Sequence, residues 1–176
     1  MRQGCIVPRP STERPERRKC RSMNKRVFLC GLVAAASAFA APLPYDESAD
    51  AKAQVEAALV AARAHDAKVL VIFGANWCED CRVLDQALKA DKSARLIADQ
   101  FSVVKVDVGR FDRNLDVSAA YGNPIKKGIP AAVVLSADNR VLYATRAGEL
   151  ANARRMSETG IYDFFVGVTA AAQAKP

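Results

Sequence analysis

Ligands for a metal ion are scarce in this chain of 176 residues. It has one histidine and three methionines, and beyond residue 40 its only cysteines are Cys78 and Cys81. Tetrahedral zinc takes four N, S or O ligands, so a C-x-x-C that belonged to a zinc site would need a second ligand pair. None follows, and the single His65 stands 13 positions before Cys78. No Met or His cluster surrounds the two cysteines in sequence. The main apolar run, 27–36, is shorter than the roughly 20 residues of a membrane-spanning helix, and no segment repeats. Excess charge is also missing once the first forty residues are set aside. Nine of the 26 Lys and Arg and two of the 19 Asp and Glu fall in 1–40, leaving 17 of each sign in 41–176. The overall charge of +7 therefore gives no argument for a nucleic-acid partner.

Those forty residues read as an export signal. Asn24-Lys25-Arg26 precedes the apolar run, and Ala38-Phe39-Ala40 follows it. These are the charged, hydrophobic and A-x-A cleavage parts of a secretory signal, expected to be cleaved rather than kept as an anchor. Cutting after Ala40 keeps Pro42 off the position right after the cut. Met23 opens a well-proportioned signal by itself, so 1–22, rich in Arg and Pro, read as an upstream extension or a mis-assigned start, and 23–40 as the signal peptide. Phe28 and Leu29 are bulky where a lipoprotein signal has small residues, so Cys30 is expected to leave with the signal. The expected product is periplasmic, with a linker at 41–47 and one domain at 48–176. Its two cysteines would reach an oxidising compartment, where a disulfide can form.

What is present centres on Trp77-Cys78-Glu79-Asp80-Cys81. The motif lies where the apolar strand pattern of 68–74 gives way to a helical one. The first sulfur then stands at a helix N-terminus, where unpaired N–H groups and the helix dipole favour a thiolate, and the second lies one turn deeper. This spacing points to dithiol/disulfide chemistry with Cys78 attacking and Cys81 resolving. A half zinc site or an inert structural pair are the alternatives that spacing alone leaves.

Elsewhere, periodicity predicts a helix over 48–66 with Ser48 as cap, a helix over 78–90 continued over 93–99, and a strand over 101–108. It further predicts a short helix over 115–121, a hairpin of 131–136 and 141–146, and helices over 149–158 and 161–172.

In that order, the W-C-x-x-C motif after the first strand, Val104-Lys105-Val106-Asp107 in the second, and Gly128-Ile129-Pro130 before the hairpin resemble the thioredoxin superfamily over about residues 50–172. Tyr121-Gly122 and Gly148 fall in register. The resemblance implies a thioredoxin-like α/β fold, a central mixed sheet flanked by helices, here with an extra N-terminal helix. It implies that Trp77 shapes the partner surface and that Lys105 lies behind the dithiol. Pro130, across a cis bond, would lie against the Cys78 sulfur, and the Ile129 backbone would pair with an extended partner chain. It implies protein disulfide or dithiol substrates, a transmembrane disulfide reductase as electron donor, a monomer, and neither cofactor nor metal.

Departures from the family pattern carry expectations of their own. The aspartate that the family's cytosolic reductants carry six residues before the first active-site cysteine is here Ile72, so a buried carboxylate proton acceptor is expected to be missing. Glu79 and Asp80, or Lys105 with Asp107, are left as aids to Cys81 deprotonation. Two acidic neighbours oppose the Cys78 thiolate and hold its pKa toward the upper part of the roughly 3.5 to 7.5 range of this motif class. A less stable thiolate favours the disulfide, which marks a reductant. The segment 109–114 is an elaboration with no assigned role, read as a loop and helix cap or a partner contact. Competing functions are a thioredoxin-like binding or chaperone module and a Cu(I) carrier on the two thiolates.

Overall fold

The computed structural model describes residues 42–174; the expected extension, signal peptide and cleavage site lie outside these residues. The chain forms α1 (Ala51–His65), β1 (Lys68–Gly74), α2 (Glu79–Leu88), α3 (Asp91–Gln100), β2 (Phe101–Asp107), α4 (Leu115–Ala120), β3 (Ala131–Leu135), β4 (Val141–Ala144) and α5 (Glu158–Gln173). Strand order is β2-β1-β3-β4. β1 runs parallel to β2 and antiparallel to β3, and β3 is antiparallel to β4. This is the expected mixed sheet, with α1 as the extra leading helix.

β1 is the centre because both of its faces are apolar. Side chains alternate across a strand, so Val69, Val71 and Phe73 join one core with Val55 and Leu59 of α1. Leu70 and Ile72 join the other with Leu84 of α2, Ile97 of α3 and Phe165 of α5. The helices thus clasp a strand whose side chains beyond Lys68 are all apolar. The C-terminal end of β1 opens into the W-C-x-x-C loop.

Local chemistry corrects three expectations. Asp50, not Ser48, caps α1, its carboxylate accepting from the Ala53 N–H at 3.0 Å. Ser48 is instead tied to Asp46 through its N–H and hydroxyl, at 2.9 and 2.6 Å. The helix expected over 149–158 is a series of turns with one 3₁₀ turn at Ala153–Arg155. The Glu149 carboxylate folds back to accept from the Arg146 and Ala147 N–H groups, and Gly148 before it holds a left-handed φ of 79°, so the chain turns here instead of entering a helix. Ser157 then caps α5, accepting from Gly160 N–H at 3.0 Å. Finally, 41–47 is not a bare linker, because Tyr45 within it is 4% exposed and belongs to the core beside the two cysteines.

Phe165 is fully buried and meets Phe164 edge-on at 5.2 Å. Phe165→Ala should cost about 3–5 kcal/mol of stability, read from the urea midpoint of the reduced domain. A loss below about 1 kcal/mol would mean that α5 is not part of the cooperative core.

Candidate active site

Cys78 is the N-cap of α2, and its sulfur takes the place a Ser or Asp oxygen takes in other caps. Cys78 Sγ accepts from the Cys81 N–H at 3.2 Å and lies 3.7 Å from the Ile129 carbonyl oxygen. The sheet brings these groups together. Phe73 of β1 pairs with Ala131 of β3, so the residues just before β3 stand beside the end of β1. The Ile129–Pro130 peptide is cis. Both cysteines are buried free thiols, Cys81 only 1% exposed.

The two sulfurs are inequivalent. Cys78 is lowered to about 7, most of all by the hydrogen bond from the Cys81 thiol; burial opposes this, the Cys81 N–H adds to it, and the Asp80 charge opposes it again. Cys81 is pushed far up, first because its thiol donates to Cys78 and then by burial. The arrangement holds one thiolate at the surface end of the pair and one protonated thiol behind it.

The acidic pair is held by a cation. Arg154, in the 3₁₀ turn, reaches Glu79 at 3.1 Å and Asp80 at 3.7 Å through Nη1, and its backbone N–H donates to Asp80 at 2.9 Å. Asp80 is thereby buried with partners while Glu79 stays exposed. A buried carboxylate is present on α2, but it is taken up by lysines. Lys105 faces Ile72 across the β1–β2 ladder and pairs with Asp85, which also binds Lys89 at 2.7 Å. Asp85 stands one helical turn beyond Cys81 on α2. Burial opposes its carboxylate, but Lys105 and Lys89 outweigh burial and hold its pKa below the ordinary value. Lys105 is therefore coupled to Asp85 rather than to Asp107. Asp107 accepts from the Gly109 N–H at 3.1 Å and is raised by burial.

Trp77 is half exposed. Its indole N–H donates to the Gly109 carbonyl at 2.7 Å, its ring meets Phe111 edge-on at 6.4 Å, and the Arg110 guanidinium lies 5.8 Å from its centroid. The segment without an assigned role is thus an aromatic and cationic ledge beside the motif. Phe111, itself 43% exposed, holds a left-handed φ of 64°, uncommon for a bulky side chain. Sequence reasoning missed Tyr45, Asn76, Asp85 and Arg154 around the site, and reached Phe111 only as part of the segment read as a loop and helix cap or a partner contact. Asp85 alone had a signal, its spacing of one turn from Cys81.

The thioredoxin-like family profile matches residues 50–137. The chain is 58% identical to the disulphide isomerase from Xylella fastidiosa Temecula1, whose crystal structure it matches with a TM-score of 0.72 over 74% of this chain and 99% of that one. It also matches the DsbH oxidoreductase at 18% identity and a TM-score of 0.50, over 77% and 88% of the two chains, a likeness of fold. No curated protein sequence matches.

The charges around Cys78 make a paired test. A unit charge about 6 Å away at an effective dielectric of about 40 is worth roughly 1.4 kcal/mol, about one pKa unit. Asp80→Asn should lower the Cys78 pKa by up to that amount, and Arg154→Gln, which frees the two acids, should raise it. The pH dependence of iodoacetamide alkylation measures both. Shifts of the same sign in the two variants would contradict the electrostatic account.

Proposed function

We propose that this chain, which belongs to the thioredoxin-like family, is an exported thiol-disulfide oxidoreductase that reduces protein disulfides. The observation that carries the reading is the asymmetry of the dithiol, with Cys78 lowered to about 7 at the α2 N-cap and Cys81 protonated beneath it.

The Cys78 thiolate attacks one sulfur of a partner disulfide. That S–S bond breaks, and the other partner sulfur leaves as a thiolate and takes up a proton. Cys81, once deprotonated, attacks Cys78 Sγ and releases the second partner sulfur. The partner gains two thiols and the chain ends as a Cys78–Cys81 disulfide. The Ile129 backbone pairs with the partner's extended segment, Pro130 closes that side of the Cys78 sulfur, and Trp77 with Phe111 forms the opposite wall. Glu79 and Asp80, clamped by Arg154, tune the Cys78 thiolate without taking part in bond making, and Lys105 keeps Asp85 ionised behind the pair.

Direction follows from the poise of Cys78. A pKa near 7 belongs with thioredoxin, whereas the strongly oxidising DsbA holds its thiolate near 3.5. A thiolate stabilised only this far leaves the disulfide form favoured, so the reduced pair gives up its electrons readily. The disulphide isomerase relative is in keeping with this, since isomerisation also begins with a reduced nucleophilic cysteine. Export rests on the signal pattern of 23–40, with cleavage before Ala41, and among the described residues no helix is long and apolar enough to cross a membrane. A monomeric reductant in an oxidising compartment is recharged by a transmembrane disulfide reductase.

Equilibration with glutathione or dithiothreitol buffers should give a reduction potential nearer thioredoxin's roughly −270 mV than DsbA's roughly −120 mV; a value at the oxidising end would overturn the reducing assignment. Cys81→Ser should accumulate mixed disulfides with partner proteins through Cys78, and Cys78→Ser should accumulate few. Equal trapping by the two variants would reverse or cancel the assigned roles.

A further inference from the structure

Cys81 has a neighbour that the exchange reaction above does not use. Tyr45 enters the core from the segment before α1, and its backbone is fastened to the active-site loop. Its N–H donates to Asn76 Oδ1 at 3.0 Å, and Asn76 Nδ2 returns a bond to the Tyr45 carbonyl at 2.8 Å. The same Asn76 nitrogen holds the Glu47 carboxylate at 3.0 Å. So clamped, the phenol crosses the end of β1 at Gly74. A side chain at Gly74 would be excluded, because an added Cβ would collide with Tyr45 Oη and Cζ and come within 2.9 Å of Cys81 Sγ. The bare Cα leaves one shared space, with the phenol hydroxyl on one side and the Cys81 sulfur on the other, both of which a single added carbon would touch.

We propose that Tyr45 is the hydrogen-bond donor that stabilises the Cys81 thiolate in the resolving step, a role that rests on the dithiol exchange proposed above. In the resting pair Cys81 needs no such help, since its thiol donates to Cys78. Once Cys78 is bonded to a partner sulfur it carries no charge, and Cys81 must ionise in a site from which water is nearly excluded. An unpaired buried thiolate is costly. The nearest charged groups on α2, Asp80 and Asp85, are acidic, and the cations beside them are already engaged, Arg154 with Asp80 and Lys105 and Lys89 with Asp85. Ile72 lies in the opposite core. The neutral phenol is thus the group placed to meet the new charge.

Burial, and then the surrounding sulfurs and Asp85, raise Tyr45 well above the ordinary phenol range, so it stays protonated throughout. The Cys81 proton leaves to solvent. The Cys81 thiolate forms its bond to Cys78 Sγ, the Cys78–partner bond breaks, and the departing partner thiolate takes up one proton in exchange.

The test is Tyr45→Phe, which keeps the ring and removes the hydroxyl. Reduced full-length parent and variant, each with Cys5, Cys20 and Cys30 replaced by Ser so that only the active-site pair reacts, are mixed with one equivalent of dipyridyl disulfide and the release of thiopyridone is followed. The first release reports attack by Cys78 and the second reports resolution by Cys81. The variant should keep the first phase within about twofold and slow the second by about tenfold to a hundredfold, the worth of one hydrogen bond to a charged group. The pH limb of the second phase should also move upward. A second phase equal to the parent's, at unchanged pH limb, would overturn the role of Tyr45 while leaving the exchange reaction standing. Equal slowing of both phases would reduce Tyr45 to packing. A parent with no second phase would overturn both the proposal and the dithiol reading beneath it.

Discussion

The cap that Cys78 places on α2 is the contact around which this domain is arranged. A sulfur that accepts the Cys81 N–H at 3.2 Å satisfies one of the unpaired donors that every helix start carries, and in doing so it becomes the end of the helix where negative charge is most at home. The Cys81 thiol donates to the same atom and supplies the largest part of the lowering to about 7. The C-x-x-C spacing therefore sets a helix boundary, a charge and a division of labour together. β1 supports the cap from below, ending at Gly74 where the Tyr45 phenol and the Cys81 sulfur crowd together.

Charges near this cap are compensated one by one. Glu79 and Asp80 oppose the thiolate, and Arg154 holds both. Lys105, left without a carboxylate at position 72, takes Asp85 from the helix instead. The surface partner of the site is Trp77, braced by Gly109 and Phe111, and the exposed aromatic ledge beside a buried nucleophile is suited to an extended protein segment.

How much of this was legible depended on the range of the interaction. The order of strands and helices, the leading helix and the cysteine pair follow from local pattern, because alternation, turn residues and a motif at a strand end are short-range signals, whereas the mixed sheet and the place of the Gly-Ile-Pro loop came with the family resemblance. Tyr45 gave none, since an aromatic in a Pro-flanked stretch looks like a linker until the fold brings Asn76, 31 residues on, against its backbone. Arg154 was hidden in a segment read as helix, where the Glu149 carboxylate folds back on its own loop and the freed turn swings a guanidinium onto residues 74 or more positions earlier. Asp85 lies on the same face of α2 as Cys81, so helical spacing could have found it, but its pairing with Lys105 needed the register of β1 against β2.

The central claim is that the two thiols ionise separately, with Cys78 first. Thiolate absorbance of the reduced protein with Cys5, Cys20 and Cys30 replaced by Ser, followed in the ultraviolet as pH is raised, measures this directly. The account predicts one thiolate appearing with a midpoint near pH 7, lost in Cys78→Ser, with Cys81 still protonated well beyond the ordinary cysteine value of about 8.5. Two thiolates rising together near that ordinary value would contradict it.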